Sequence, residues 1–362
     1  MIKGVDISTL LEMEENNIRY YDFDNEEITD ILVFMKEHGI ESIRLRLWVD
    51  PYSEEGIAYE GGTLSLERVI EIAKKVQNAG FSIMLDYHFS DFWTDPGKQM
   101  IPKAWQNYDF AQLKVVLSEY VKTTLQTFSK HEIKLDFIQP GNEITNGMLW
   151  PIGKVYEDDV LIDGGYKRLS ELLKVAVEQI RDIYPESKII LHLERSGDAA
   201  MYDEWFSHMI KEEVDFDIIG LSYYPFFHGS FDLLGKTLDV CNSFGYPTMI
   251  VETGYVYTLE PAPNTTMVVL NKDEGFVPYP YTVKGQADFI KRLSELAKEK
   301  NVQGIYYWEP LWLPGENVNW SSHAGREYIN ETHKSGGNEW SNHALFSYEG
   351  KAHEAWKVIK NI

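Results

Sequence analysis

A single cysteine, Cys241, stands in a chain of 362 residues, so no intrachain disulfide can form and no metal cluster can be built on several thiolates. Positive charge is also scarce: 34 Lys and Arg face 57 Asp and Glu, a formal charge of −23. Nucleic-acid binding begins with a basic footprint on phosphate, so that partner is excluded, and the acidic surface reads as a solubility device of a monomer. No run of about 18 apolar residues occurs, which excludes a membrane-spanning helix and leaves no membrane partner expected. The opening Met1-Ile2-Lys3-Gly4-Val5-Asp6 has no basic and apolar leader. The chain is therefore expected to be cytoplasmic as written, the alternative being a secreted protein whose leader precedes this numbering. Linkers, low-complexity tracts and long repeats are missing too, and residues 1–362 read as one domain.

What the chain has in excess is aromatic rings: 14%, with 10 Trp and 22 Tyr, many beside Gly, Pro and Asn rather than in periodic segments. Flat apolar rings with polar tips, carried in loops, suit flat ligands such as sugar rings. Near-continuous apolar runs predict strands at 2–8, 42–48, 81–87, 134–139, 188–193, 216–222, 247–251 and 302–308. Amphipathic stripes predict helices between them, as in Leu113, Val116, Leu117, Tyr120, Val121, Leu125 and Phe128, or Leu169, Leu172, Leu173, Ala176, Ile180 and Ile183. Further helices are expected at 25–38, 65–79, 199–212, 231–244, 282–299 and 351–360, with Gly39, Gly80 and Gly245 as stops. Eight strand–helix alternations argue for a single-domain (β/α)8 TIM barrel. Helix-to-strand connections are brief, whereas 88–107, 140–164, 253–280 and 309–349 are long. In such a barrel the long set lies on the C-terminal face, where active sites are built.

Two glutamates end apolar runs on that face: Glu143 after Gln139-Pro140-Gly141-Asn142, and Glu252 after Met249-Ile250-Val251. Paired carboxylates across a cleft are what glycosidic cleavage needs, one as acid and the other as nucleophile or base. In strand 42–48, period two turns Arg44 and Arg46 into the barrel, where a buried guanidinium needs a carboxylate. Arg44, deeper, reads as a structural ion pair. Arg46, nearer the mouth, is expected to hold a catalytic carboxylate ionised. Asp86, His88, His192, Tyr223, Tyr224 and Trp308 also fall at strand ends. Asp86, His88 and His192 also offer a metal reading, but scattered imidazoles among tryptophans fit hydrogen bonding to a hydroxylated substrate better.

Several motifs resemble glycoside hydrolase family 53: Gly4-Val5-Asp6-Ile7-Ser8, Arg44-Leu45-Arg46-Leu47-Trp48, the run from Asp86 to Gln99, Pro102-Lys103-Ala104-Trp105, Gly141-Asn142-Glu143-Ile144, Gly147-Met148-Leu149-Trp150-Pro151, Glu252-Thr253-Gly254-Tyr255 and Tyr307-Trp308-Glu309-Pro310. The match runs in order over nearly the whole chain. The resemblance implies a retaining endo-β-1,4-galactanase acting on galactan, the side chain of type I arabinogalactan in pectin, with Glu143 as acid/base and Glu252 as nucleophile. It implies no cofactor for catalysis, and a structural Ca²⁺ among oxygen donors between Asn317 and Asn342. The loops 309–344, with an insert near Arg326 to Lys334, and 255–280 look individual.

On this reading Arg46, Asp86, His88, Asp91, Trp93, Trp105, Asn142, His192, Tyr223, Tyr224, Trp308 and Trp312 bind substrate, with Asn142 toward the 2-hydroxyl of the cleaved sugar. Trp93, Trp105, Trp150, Trp308 and Trp312 are expected to line the cleft. Retention requires carboxyl groups about 5 to 5.5 Å apart, whereas inversion needs about 6.5 to 9.5 Å. A mannanase or glucanase of the same barrel type, and a non-catalytic galactan-binding barrel, are the competing readings.

Overall fold

The computed structural model describes residues 1–263, 265–269 and 275–362. Eight parallel strands close into a barrel: β1 (Ile2–Asp6), β2 (Ser42–Leu47), β3 (Ser82–Tyr87), β4 (Phe137–Pro140), β5 (Lys188–Leu193), β6 (Ile218–Tyr223), β7 (Thr248–Thr253) and β8 (Gly304–Trp308). Each is followed by a covering helix: α1 (Ile31–Glu37), α2 (Leu66–Asn78), α3 (Phe110–Lys130), α4 (Gly165–Ile183), α5 (Ala199–Lys211), α6 (Phe231–Ser243), α7 (Val283–Glu299) and α8 (Ala355–Asn361). The sheet closes through β1 pairing with β8, Gly4 opposite Tyr306 and Asp6 opposite Trp308. A Cβ on Gly4 would stand 2.2 Å from the Tyr306 ring, so only glycine lets that ring fill the barrel floor.

Strand alternation divides two cores. Residues such as Val5, Ile43, Leu45, Leu85, Ile138 and Leu191 point outward and are fully buried against helix stripes that include Leu117, Val121, Leu169 and Leu173. Fully burying such a side chain contributes about 1.5 to 3 kcal/mol. Inside the barrel a smaller apolar floor of Met84, Ile190, Ile218, Met249, Val251 and Tyr306 supports the layer above it. That layer is polar: Asp6, Arg44, Arg46, Asp86, Gln139, His192 and Ser222 are all buried.

The predicted strands and helices all appear, with shifted ends. The segment 25–30 is a turn rather than the start of a helix, because the Asp30 side chain accepts from the backbone N–H groups of Leu32 and Val33 and fixes the N-terminus of α1 there. Helix α3 starts on a capping box between Asp109 and Gln112. Gly39, Gly80 and Gly245 all have positive φ just past their helices. The long β4–α4 loop carries two antiparallel pairs, 147–148 with 153–154 and 156–157 with 160–161, too short to announce themselves by alternation. Among the described residues no helix is long and apolar enough to cross a membrane.

Candidate active site

Glu143 lies three residues beyond the end of β4 with φ +51, a left-handed conformation uncommon for a side chain of its size. Its neighbour Gly141 has φ +111, and together they turn the chain so that the carboxyl re-enters the barrel mouth. Glu252 reaches the same place differently. Met249 and Val251 belong to the interior floor, so strict alternation would turn Glu252 outward. The register slips here, between Leu221 and Ser222 on β6 and between Ile250 and Thr253 against β8. Such irregularities re-aim side chains next to active sites. One carboxylate oxygen of Glu143, one of Glu252 and one ring nitrogen of His192 all lie within 4.8 Å of one another.

The two carboxyls have different partners. Glu252 accepts from Arg44 Nη1 and from the Tyr224 hydroxyl, each at 2.9 Å. Glu143 accepts from Ser222 Oγ at 2.6 Å, and His192 Nε2 lies 2.8 Å from the same Ser222 oxygen. With the serine proton given to Glu143, the imidazole donates from Nε2. Burial pushes Glu143 well above the usual carboxylate range, and the neighbouring carboxylates of Glu252 and Glu194 push the same way. Burial also lifts Glu252, but Arg44 and the Tyr224 hydroxyl pull against it. Of the two, Glu143 keeps the proton.

Arg44 is the electrostatic centre. Fully buried, it donates from Nε to Gln139 (2.7 Å), from Nη1 to Asp6 and Glu252 (both 2.9 Å), and from Nη2 to Asp86 (2.8 Å) and Asn142 (2.7 Å). Burial opposes its charge, and Asp86, Glu252 and Asp6 more than reverse that effect. This corrects the expectation for Arg46, which does not touch Glu252. Arg46 sits one layer higher beside β8, where Glu309 claims it at 2.5 Å and Asp6 stands at 3.4 Å. Its guanidinium lies 4.8 Å from the Trp93 ring centre and 5.3 Å from that of Trp308. Glu309 is fixed in turn by the Thr9 backbone N–H and hydroxyl, at 3.1 and 2.6 Å. The reach of Arg44 from the layer below, with all its donors converging on the axis, is what brings it to the catalytic pair.

A cavity of about 430 Å³ opens above these groups. Of the residues expected to bind substrate, Arg46, His88, Trp93, Asn142, Tyr224 and Trp308 line it together with Glu143 and Glu252. Asp86 and His192 lie beneath it, Asp86 bonded to Arg44 and 3.1 Å from His88 Nε2. Burial drives both imidazoles, His88 and His192, below their ordinary range. Four expected positions are corrected. The Tyr223 hydroxyl bonds the Gly229 carbonyl at 2.9 Å and its ring packs on Phe231 and Phe289, outside the barrel, because alternation turns it away and presents Tyr224. Asp91 staples loops, accepting from the backbone N–H groups of Asp50 and Lys103 at 3.1 and 2.8 Å. Trp105 is buried edge-on against Tyr120, and Trp312 packs behind Trp93 and Trp308 with its indole N–H on Glu12. Trp150 does not line this cavity either; it stands under Lys154 with its N–H on the Asn146 carbonyl.

Sequence reasoning missed Trp320, Trp340 and Phe227, which line the cavity from loops whose packing no local pattern reveals. It also missed Ser222, which a count in twos from Ile218 through Gly220 would have turned inward. Among the described residues the one grouping of three metal-capable side chains is Glu143, His192 and Glu252 itself. Its carboxylates already face the donors Arg44, Tyr224 and Ser222, which compete with a cation. Along the loop from Asn317 to Asn342, Asn319 Oδ1 accepts from Gly337 N and Asn338 Oδ1 from Trp340 N, whereas Asn342 Oδ1 is buried without a hydrogen bond.

A closed (β/α)8 barrel whose fourth and seventh strands bring two glutamates together, one protonated and one held by a guanidinium, defines a carboxylate-pair hydrolase of the kind that cleaves glycosidic bonds. Residues 2–359 match the model of glycosyl hydrolase family 53, and the chain belongs to that family. It is 32% identical to the endo-β-1,4-galactanase of Bacillus subtilis (strain 168), over 96% of this chain and 83% of the relative. An uncharacterized protein of Niallia circulans is 35% identical over 99% of this chain and 93% of its own length. The solved family 53 catalytic domain of Ignisphaera aggregans superposes with a TM-score of 0.89 at 33% identity, covering 99% of this chain and 95% of that one.

Proposed function

We propose that this chain is a retaining endo-β-1,4-galactanase that hydrolyses galactan and type I arabinogalactan by double displacement. The observation that carries the mechanism is the approach of the Glu143 and Glu252 oxygens to within 4.8 Å, with a cation on one carboxyl and a proton kept on the other. Oxygens this close fit the retaining geometry, in which one carboxylate attacks directly.

In the first step Glu252 attacks the anomeric carbon while Glu143 gives its proton to the departing glycosidic oxygen. In the second, Glu143, now ionised, takes a proton from water that attacks the same carbon and releases Glu252. Arg44 and Tyr224 keep Glu252 ionised and aimed. Asn142 Oδ1 is occupied by Arg44 and one Nδ2 proton by the Thr94 carbonyl (3.0 Å), so the other Nδ2 proton faces the 2-hydroxyl. Trp93 and Trp308 bind the sugar faces, with Arg46 and His88 at their edges. Asp86 and His192 act through Arg44 and Ser222, and Asp91, Trp105, Tyr223 and Trp312 hold the wall from behind.

The enzyme is proposed to work as a monomer and without a catalytic cofactor. The Ca²⁺ ion implied for Asn317 to Asn342 rests on that loop's oxygen supply. Two buried side-chain oxygens there, Glu331 Oε2 and Asn342 Oδ1, make no hydrogen bond, and the first is ion-paired with Lys334 at 2.9 Å; against the six to eight oxygens that Ca²⁺ takes, no catalytic step is made to depend on the ion. Galactan tests the assignment against mannan and cellulosic glucan, since the axial O4 of galactose bends its chain differently. Rapid release of reducing ends from galactan, with little from the other two, is expected; preferential cleavage of mannan or glucan would overturn the specificity, and failure to cleave any would leave a binding barrel.

A further inference from the structure

Beyond the catalytic cavity lies a second hollow of about 770 Å³, and the two share Pro96, Phe227 and His228. Phe227 stands between them with 58% of its surface exposed, the most exposed Phe, Tyr or Trp among the described residues. An exposed phenylalanine offers nothing to solvent, and this one is not loose. It sits in the short helix Pro225–His228, where its backbone N–H bonds the Tyr224 carbonyl at 3.0 Å. Phe226 packs edge-on against it at 4.7 Å. The turn is also clamped from outside, since a Cβ on Gly197 would stand 2.1 Å from the His228 carbonyl oxygen. The turn that carries the ring is therefore held in place, and the ring, apolar on its face, is presented at the junction of two cavities.

The side of the reaction it serves follows from the catalytic pair. A nucleophile attacks opposite the departing oxygen, so the sugar that leaves lies on the acid's side, away from Glu252. The second hollow begins with Thr145 and Asn146, directly after Glu143, and continues to Glu194, whereas among the described residues none of the β7 or β8 loops lines it. Tyr156, whose hydroxyl bonds Glu204 at 2.8 Å, and Lys154 supply polar groups of the kind sugar hydroxyls bind. Trp308, Trp320 and Trp340 stand on the other cavity instead.

We infer that Phe227 is the stacking platform of a leaving-group subsite, with the second hollow receiving the galactosyl units on the reducing side of the cleaved bond. The inference rests on the galactanase reading and adds where the departing chain lies. A rigid ring under a sugar face contributes to binding and to the transition state only when a sugar occupies that subsite.

The test compares two substrates in wild type and Phe227→Ala: galactotetraose, whose leaving group is a sugar, and a nitrophenyl β-1,4-galactobioside, whose leaving group is not. The ratio of kcat/KM for galactotetraose to that for the aryl substrate is expected to fall about tenfold in Phe227→Ala, and to recover in Phe227→Trp. Equal losses on both substrates would mean that the ring only braces Tyr224, and no loss on either would mean that it touches no substrate; each overturns the subsite. Wild type that cleaves neither substrate would refute the galactanase reading itself and the subsite with it.

Discussion

Arg44 and Arg46 are two residues apart on one strand, both fully buried, and their surroundings differ in kind. Arg44 is saturated, with five hydrogen bonds to five oxygen acceptors, three of them carboxylates. Arg46 has one strong partner, Glu309, while its Nε and Nη1 make no hydrogen bond and its guanidinium lies close to two indoles that line the cavity. A saturated cation can only set the charge and aim of its neighbours. A partly free one, close to two rings and lining the cavity, can also meet a ligand. The floor of the site thus separates an electrostatic centre around Arg44 from a second corner around Arg46, which the proposed function assigns to recognition of the sugar.

Replacing Arg44 gives the largest expected effect. Arg44→Met leaves Asp6, Asp86 and Glu252 crowded and uncompensated inside the barrel, a loss of about 3 to 5 kcal/mol in chemical denaturation, accompanied by collapse of kcat. A stable, active Arg44→Met protein would erase the distinction between the two arginines. Arg46→Lys is milder: the point charge still reaches Glu309 but loses the planar stacking on Trp93 and Trp308, worth about 1 to 2 kcal/mol. That loss should raise KM for galactan by about 5- to 30-fold with a smaller change in kcat; a loss confined to kcat would move Arg46 into the catalytic centre.

Ser222→Ala gives the smallest effect, and its sign is defined. The serine hydroxyl favours the ionised form of Glu143, so its removal raises the pKa of that acid further. Glycosylation needs Glu143 protonated, and the rate falls as pH rises through its pKa. The alkaline limb of the kcat/KM profile should therefore move to higher pH in the variant, and a move to lower pH would show that the serine stabilises the protonated acid instead.

The eight strands were readable because parallel strands buried on both faces are near-continuous apolar runs, bounded here by short helix-to-strand turns. Glu143 and Glu252 were readable because each ends such a run. What could not be read depends on height and packing. The choice between Arg44 and Arg46 turns on which layer faces the catalytic pair and on a register slip beside Glu252, neither of which leaves a local signature. Likewise Trp105 and Trp312 differ from Trp320 and Trp340 only in how long loops fold over one another, so equal-looking tryptophans divide into supports and walls.

The proposed mechanism depends above all on Glu252 as nucleophile and Glu143 as acid. Incubation with an activated 2-deoxy-2-fluoro-β-galactobioside, whose fluorine slows the second step, should trap the glycosyl-enzyme, and peptide mass spectrometry should find the added mass on the peptide bearing Glu252. A label on the Glu143 peptide would reverse the two roles. No label, together with an initial product that proton NMR shows to be the α-anomer, would contradict double displacement altogether.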